Sequence, residues 1–347
     1  MLARKGVGVM GDSEGPLANA REQLYAVGVS IRRDRCLGVI VDVDGSVAGF
    51  VDEDGEPVRA VAQVPLADTS VATVVGRVAD LVQELLGRHL DVPDLLGLGV
   101  ELSGHVDARR GSVDWSHRMG WDRPVPLARL LREATGYRSA IEHDVKALAL
   151  GEQMFGLGRD VRTFAVVTVG VGIGCGLVLD NQLVRGKTGI AGELGHLVLD
   201  PDGAVCACGR RGCLETVAGT DGIVRALRQA GRPEVGDINT AARLARGDLV
   251  ARAAFERAGR ALGQGLSWLV NLLNPELLIL RCQPAVAEAD GYVSEARRAL
   301  EAGAFSSAAS DCRMVVRERS VELGARSAGS MVFERVSGFL RLTGERD

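Results

Sequence analysis

The chain has 347 residues, enough for about two domains of ordinary size, and its 46% hydrophobic residues can support a sizeable core. A formal net charge of −4, without a basic stripe along the sequence, argues against a free-standing nucleic-acid binder. No apolar run approaches the roughly 20 residues that span a bilayer, and the N-terminal segment lacks the apolar stretch of a secretory signal. We therefore expect a cytoplasmic protein without membrane contact.

The first half of the chain begins with residues 1–22, which lack sustained periodicity and are predicted to form an extended arm. Three β-rich runs separated by turn signals then predict an antiparallel meander of three strands. These runs are Tyr25–Ile31, Cys36–Val43 and Ser46–Val51. The elements predicted next are a helix over Ser70–His89, a strand over Leu95–Leu102, a helix over Leu127–Thr135, a strand over Tyr137–Glu142 and a helix from about Asp144.

The second half repeats this order. Its predicted strands are Thr163–Val169, Gly174–Leu179, Gln182–Arg185, Glu276–Leu280 and Arg313–Arg317, and its predicted helices are Asn239–Arg246, Leu249–Leu273 and Glu322–Leu342. Two similar halves favour a two-lobed α/β fold of the duplicated, actin-like ATPase type, with a ligand in the cleft. We expect lobes at residues 23–143 and 144–322, the terminal helix at about 323–342 packing back on the first lobe, and the oligomerisation surface on the second.

The segment from residue 189 to 219 carries a metal-ligand pattern. One imidazole, His196, and three thiols, Cys206, Cys208 and Cys213, form a set suited to tetrahedral zinc. Because all four positions would be filled by protein, the pattern indicates a structural Zn²⁺. The glycines within this segment would allow the tight turns that such a loop needs. The alternative is three reduced structural cysteines beside an unrelated histidine.

Two carboxylates, Glu193 and Glu215, lie beside these ligands in the sequence. Carboxylates accept hydrogen bonds from sugar hydroxyls, and His196 could bind zinc through one ring nitrogen while donating to a hydroxyl through the other. From spacing alone, two surface glutamates are an equally good interpretation.

The combined pattern Glu193-Leu-Gly-His196 and Cys206-x-Cys208-Gly-x-x-Gly-Cys213-x-Glu215 resembles the signature of the ROK family (repressors, open reading frames and kinases). The resemblance extends over about residues 24–342. Three further stretches resemble that family: Gly120-Trp121, Glu142-His143-Asp144 and the glycine-rich run from Gly170 to Gly176.

The resemblance implies an actin-like fold, a hexose or amino-sugar ligand, and a homo-dimer or homo-tetramer. The implied sugar contacts are Gly104, His143, Asp144, Glu193, His196 and Glu215. In the kinase members, the residue matching Asp144 is the general base. The residues Gly170, Gly172 and Gly174 correspond to a phosphate loop, although a tight β-hairpin would explain them as well.

The sequence departs from the kinase pattern on the nucleotide side. Where family kinases have Asp-x-Gly-Gly-Thr, this chain has Ser30-Ile31-Arg32-Arg33-Asp34, and Arg281-Cys282 replaces a Gly-Gly pair. Side chains at the glycine positions would obstruct phosphate, so ATP and Mg²⁺ are not expected. We interpret the chain as the sugar-sensing part of a ROK regulator. An ATP-dependent hexose kinase and a stand-alone sugar-binding protein are the alternatives.

Regulators of this family carry an N-terminal winged helix-turn-helix, which the sequence lacks. The segment from Leu2 to Gly8 resembles the end of such a wing. We therefore hypothesise a truncated form, a late-assigned start or a natural remnant of a repressor, with DNA contact only through the missing N-terminal domain.

Overall fold

The computed structural model describes residues 24–51, 57–88 and 94–343. The predicted arm at residues 1–22 lies outside these ranges. The strands are β1 Leu24–Ile31, β2 Arg35–Asp42, β3 Gly49–Val51, β4 Pro57–Arg59, β5 Val61–Pro65, β6 Asp94–Leu102, β7 His105–Asp107, β8 Ser112–Trp115, β9 Ser139–His143, β10 Phe164–Val169, β11 Ile173–Leu179, β12 Gln182–Leu183, β13 Leu277–Cys282 and β14 Arg313–Glu318.

The helices are α1 Val71–Arg88, α2 Leu127–Thr135, α3 Asp144–Phe155, α4 Glu215–Ala218, α5 Thr220–Gln229, α6 Ile238–Ala245, α7 Leu249–Leu273, α8 Pro284–Ala287, α9 Tyr292–Gly303, α10 Ala308–Asp311 and α11 Val321–Thr343, with a 3₁₀ turn at Leu194–His196. None of the helices in the described ranges combines the length and apolarity that a bilayer span requires.

Two five-stranded sheets share one topology. The first has the order β5-β2-β1-β6-β9 and the second β12-β11-β10-β13-β14. In each sheet the central strand pairs antiparallel with the strand that follows it, and parallel with the strand on its other side. This repeated pattern confirms the predicted duplicated α/β fold.

The predicted third strand of the meander, Ser46–Val51, forms in part. The turn at Asp44-Gly45 forms as predicted, with Gly45 at φ +73°, and Val47 after it makes an isolated antiparallel bridge to Val41 of β2. The end of the predicted run, β3, pairs instead with β4 in a separate hairpin. The strand that borders β2 is β5, over Val61–Pro65. Alternate residues of β5, Ala62 and Val64, are buried, so this segment offers the apolar face that the sheet edge needs.

Helix α3 is enclosed between the second sheet and α11. Its residues Val145, Leu148 and Ala149 pack with β10, β11 and β13, whereas Ala147 and Leu150 pack with α11. Helix α11 in turn lies against β1, β2 and β6 of the first sheet. The amino end of α3, which carries Asp144, is thereby fixed where both sheets approach each other.

The packing of α11 on the first sheet depends on glycine. A Cβ atom on Gly28 would lie 1.9 Å from the carbonyl oxygen of Ala325, and one on Gly99 would lie 1.9 Å from that of Ala328. Only glycine allows helix and strand backbones to approach so closely.

Candidate functional site

The four predicted metal ligands come together in one loop. The ligand atoms of His196, Cys206, Cys208 and Cys213 all lie within 4.8 Å of one another. His196 Nδ1 is 3.5 Å from Cys206 Sγ, and the Sγ atoms of Cys208 and Cys213 are 3.6 Å apart. A tetrahedral zinc ion with Zn–S near 2.3 Å and Zn–N near 2.0 Å separates its ligand atoms by roughly 3.5–3.8 Å. The donor set and these two distances therefore fit zinc.

Two glycines and one backbone hydrogen bond shape this loop. Gly209 and Gly212 have φ values of +87° and +64°, and a Cβ on Gly212 would lie 1.4 Å from the Asp200 carbonyl oxygen. The turn is closed by a 2.8 Å hydrogen bond from the Cys206 backbone N–H to the Arg210 carbonyl. The loop thus holds its cysteines close together through backbone contacts of its own.

The pKa of the Cys208 thiol is lowered, whereas burial raises the pKa of Cys206 and Cys213. Burial opposes ionisation, but the hydrogen bond from the Arg210 backbone N–H and other donors lower the pKa of Cys208 to about 6. The thiolate is the form of cysteine that binds metals.

Two carboxylates flank His196. Glu215 Oε1 is 3.6 Å from Nδ1, on the metal side of the ring, and accepts a hydrogen bond of 2.9 Å from Cys206 Sγ. Glu193 Oε2 is 3.8 Å from Nε2, on the opposite side. His196 can therefore bind an ion through Nδ1 while Nε2 and Glu193 remain available to a ligand. The Glu193 side chain is 37% exposed.

A second cluster surrounds Asp144. Arg319 Nη2 donates a hydrogen bond of 2.8 Å to Asp144 Oδ2, and Arg32 Nη1 is 4.0 Å from the same oxygen. His143 Nδ1 is 3.4 Å from Oδ1. Burial alone would raise the pKa of Asp144, but His143, Arg319 and Arg32 together hold it well below its usual value.

Arg32 fills the turn between β1 and β2. Its Nη1 and Nη2 donate to the two carboxylate oxygens of Glu101 at 3.1 and 2.7 Å, and Glu101 is fully buried. This bidentate pair fixes the guanidinium beside Asp144. A buried pair also occurs at the other departure from the kinase pattern, where Arg281 Nε donates to Glu152 Oε1 at 3.0 Å.

The chain segment before Glu193 links both sheets to the candidate site. The Thr188 carbonyl accepts a hydrogen bond of 2.8 Å from His105 Nε2, next to Gly104, whose φ is +145°. The Gly189 carbonyl accepts a hydrogen bond of 2.7 Å from Nζ of the buried Lys146. The segment Thr188–Gly189 is thereby bonded to the residue after Gly104 and to the helix that begins at Asp144.

The residues Gly170, Gly172 and Gly174 lie at the β10–β11 hairpin. The turn is closed by a 3.0 Å hydrogen bond from Gly170 N–H to the Gly172 carbonyl. A Cβ on Gly172 would lie 2.8 Å from Glu215 Oε2, and one on Gly170 would lie 3.3 Å from Arg319 Nη1. The hairpin thus contacts the metal loop on one side and the Asp144 cluster on the other.

Three residues of this arrangement were missed by sequence reasoning: Glu101, Lys146 and Arg319. Glu101 and Arg319 meet their partners only after folding, because Arg319 is 175 positions from Asp144. Lys146 stands two positions after Asp144 in a helical pattern, where a lysine ordinarily lies in solvent. No local signal separates these residues from surface charges.

The chain is similar in sequence and fold to known proteins. The family model described as "ROK family" matches residues 36–334. The chain is 34% identical over 256 residues to the glucokinase of Thermotoga maritima, covering 69% of this chain and 80% of that protein. It is 27% identical over 259 residues to the xylose repressor of Bacillus spizizenii, covering 74% of this chain and 64% of that protein.

Among solved structures, a ROK family transcriptional regulator, described as a homolog of the E. coli MLC protein, aligns with a TM-score of 0.76. The two are 23% identical, and the alignment covers 90% of this chain and 79% of that chain, so it shows the shared fold. With the family match extending over most of its length, this chain belongs to the ROK family.

Proposed function

We propose that this chain binds a hexose or amino sugar between its two lobes and senses it, as the effector part of a ROK-type transcriptional regulator, without phosphorylating it. One observation carries this proposal: Asp144, which matches the base of the family's kinases, is held as a carboxylate by Arg319 and Arg32. A general base works best with a pKa near the operating pH. A carboxylate whose pKa is held low is a poor proton acceptor but a good hydrogen-bond acceptor for a sugar hydroxyl.

The proposed sugar contacts are Gly104, His143, Asp144, Glu193, His196 and Glu215. Glu193 supports this assignment because it is partly exposed and stands beside the ring nitrogen of His196 that faces away from the thiols. Zinc, held by His196 and the three cysteines, would fix the loop and the orientation of this imidazole. With four protein ligands the ion would be structural.

The residues at the positions where the family's kinases bind nucleotide support sensing over catalysis. Arg32 and Arg33 occupy the turn in which the family's kinases have glycine, and Arg281 is engaged with the buried Glu152. Long side chains at these places leave little room for the close backbone approach of phosphates. We therefore expect no use of ATP and Mg²⁺.

The second candidate function is an ATP-dependent hexose kinase. It is favoured by the 34% identity to the Thermotoga maritima glucokinase and by Asp144 at the start of α3. In that case Asp144 would be the base that deprotonates the sugar hydroxyl.

As a regulator, the protein would act in the cytoplasm as a homo-dimer or homo-tetramer. Sugar binding would change how far the lobes close, and so the spacing of DNA-binding heads attached to each chain. Contact with DNA would require an N-terminal segment outside the residues described here.

A coupled ADP-release assay over a panel of sugars, run beside thermal-shift measurements on the same samples, tests this proposal. We expect at least one sugar to raise the melting temperature, with ADP release no faster than for Asp144→Asn. Robust ADP release that Asp144→Asn abolishes would establish the kinase instead.

A further inference from the structure

The β7–β8 hairpin contains a β-bulge that turns Trp115 outward. Trp115 lies opposite His105. The next pair is Val106 with Val113, which leaves Asp114 as the extra residue of β8. Without the bulge Trp115 would share the face of Val113, because side chains alternate along a strand. Val113 is fully buried, whereas Trp115 is 39% exposed. The bulge thus re-aims a tryptophan away from the core.

The face onto which Trp115 is turned borders the proposed sugar site. Residues directly opposite each other in an antiparallel pair project to one side, so Trp115 shares the face of His105. His105 Nε2 donates a hydrogen bond of 2.8 Å to the Thr188 carbonyl, in the segment that leads to Glu193. A Cβ on Gly104 would lie 2.6 Å from the Trp115 carbonyl oxygen. Trp115 therefore lies beside one proposed sugar contact and faces the segment that leads to another.

A second exposed apolar side chain lies at the same contact between chain segments. Ile190 is 48% exposed and directly follows Gly189. A Cβ on Gly189 would lie 2.0 Å from the Val106 carbonyl oxygen, so this part of the backbone lies against β7. The first half of the chain thus supplies Trp115 and the second half Ile190, both beside the contact between β7 and residues 188–190.

The indole of Trp115 offers a ligand an apolar surface and a polar handle. Its ring stacks on that of His117, with centroids 6.1 Å apart and an angle of 28° between the planes. No described residue accepts a hydrogen bond from its Nε1, whereas Nε1 of the buried Trp121 donates to the Thr69 carbonyl. A flat apolar ring with one free N–H suits a partner ring that has apolar C–H groups and polar atoms at its edge.

We propose that Trp115 and Ile190 form a subsite for the second ring of a glycoside, so that the ligand is a sugar joined to another ring. The sugar contacts proposed above would hold the first ring, while the second ring packs on the indole. Such packing removes apolar surface of both partners from water. A disaccharide and an aryl glycoside share this chemistry. This inference rests on the proposed sugar-sensing function and narrows its ligand class to glycosides.

Calorimetric titration of the full chain tests the subsite. For glucose, mannose and N-acetylglucosamine, the probes are the free sugar, its methyl glycoside, its phenyl glycoside and its disaccharide with a second hexose, in both anomers. We expect at least one phenyl glycoside or disaccharide to bind about tenfold more tightly than the methyl glycoside of the same sugar, because burial of about 60 Å² of apolar surface gives that factor. Whichever of the two binds more tightly identifies the second ring as aromatic or as a sugar.

Four variants separate the subsite from the fold. Trp115→Ala should lower the affinity for the larger glycoside to that for the methyl glycoside, and Ile190→Ala should weaken the preference. Trp115→Phe should retain most of it, since a phenyl ring keeps an apolar face. Phe305→Ala is the matched control, because Phe305 is an aromatic side chain 81% exposed in the segment after α9. It should keep the full preference.

Three outcomes would overturn the subsite and leave sugar sensing in place. These are equal affinities for methyl and larger glycosides, an unchanged preference in Trp115→Ala, and an equal loss of preference in Phe305→Ala. ADP release from ATP and a sugar that Asp144→Asn abolishes would overturn the sensing function instead. An absence of binding by every free sugar and every glycoside would overturn both.

Discussion

Arg319 and Asp144 are joined by a 2.8 Å hydrogen bond across 175 positions of the sequence. The bond ties the amino end of α3 to the segment that leads into α11. It keeps a carboxylate ionised in a site where burial would otherwise neutralise it. This paired carboxylate is the basis of the proposed role of Asp144 as a hydrogen-bond acceptor.

The lowered pKa of Asp144 predicts a pH dependence of stability. An acid whose pKa is lower in the folded state contributes stability at pH values above its unfolded pKa, near 3.8, and loses it as the pH falls further toward the folded pKa. Between about pH 6 and pH 3, the free energy of unfolding should therefore fall more steeply for wild type than for Asp144→Asn. Urea titrations at each pH measure it. Asp180→Asn, at a carboxylate 81% exposed, is the control and should follow wild type. Parallel curves for wild type and Asp144→Asn would contradict the expectation.

Removing one metal ligand should remove the ion. Purified protein is expected to contain about one zinc per chain by elemental analysis, and Cys208→Ala should lose it. Because metal binding stabilises the folded state, the melting temperature should fall by roughly 10 °C in Cys208→Ala or after chelation. Cys312→Ala, at a buried thiol outside the cluster, should retain the zinc. Stoichiometric zinc in Cys208→Ala would exclude this cysteine as a ligand.

The buried pair of Arg281 and Glu152 should show strong coupling. The Glu152 side chain is 3% exposed, so Arg281→Met would leave a buried charge without its partner and cost about 3–5 kcal/mol of unfolding free energy. In the double variant Arg281→Met with Glu152→Gln the uncompensated charge is gone, and most of the loss should be recovered. Denaturant unfolding of the four proteins in the cycle gives the coupling energy. Additive effects would mean that the two side chains act independently.

The contact between β1 and α11 should not tolerate a side chain at Gly28. Gly28→Ala would bring a methyl group to 1.9 Å from the Ala325 carbonyl oxygen, and we expect a loss of at least about 2–3 kcal/mol in unfolding free energy. Gly76→Ala is the matched control. Gly76 lies on the exposed side of α1, where an added Cβ would meet no atom within 4 Å, and the substitution should gain roughly 0.5–1 kcal/mol through helix propensity. A Gly28→Ala protein as stable as wild type would show that α11 can move away from the sheet.

How well the sequence predicts each structural feature depends on how far apart along the chain the interacting residues lie. Helix Leu127–Thr135 was predicted with its bounds because the signals are local, and Gly136 ends it with φ +79°. The four residues of the candidate metal cluster could be identified from the sequence because they lie in one loop, with glycines that supply its turns. The third strand was predicted only in part, because Ser46–Val51 and Val61–Pro65 are both β-rich, and the sequence does not show that β5 makes the longer ladder with β2. Glu101 and Arg319 could not be predicted because their roles depend on partners from other elements.

The position of α11 also affects how the polypeptide folds during synthesis. The strands of the first sheet are translated well before α11, yet α11 covers one face of this sheet. Until then its apolar residues, including Val39 and Val41, have no partner from α11 and are exposed to chaperones or to aggregation. Nascent chains arrested before residue 321 should therefore be more sensitive to protease in this region than released ones.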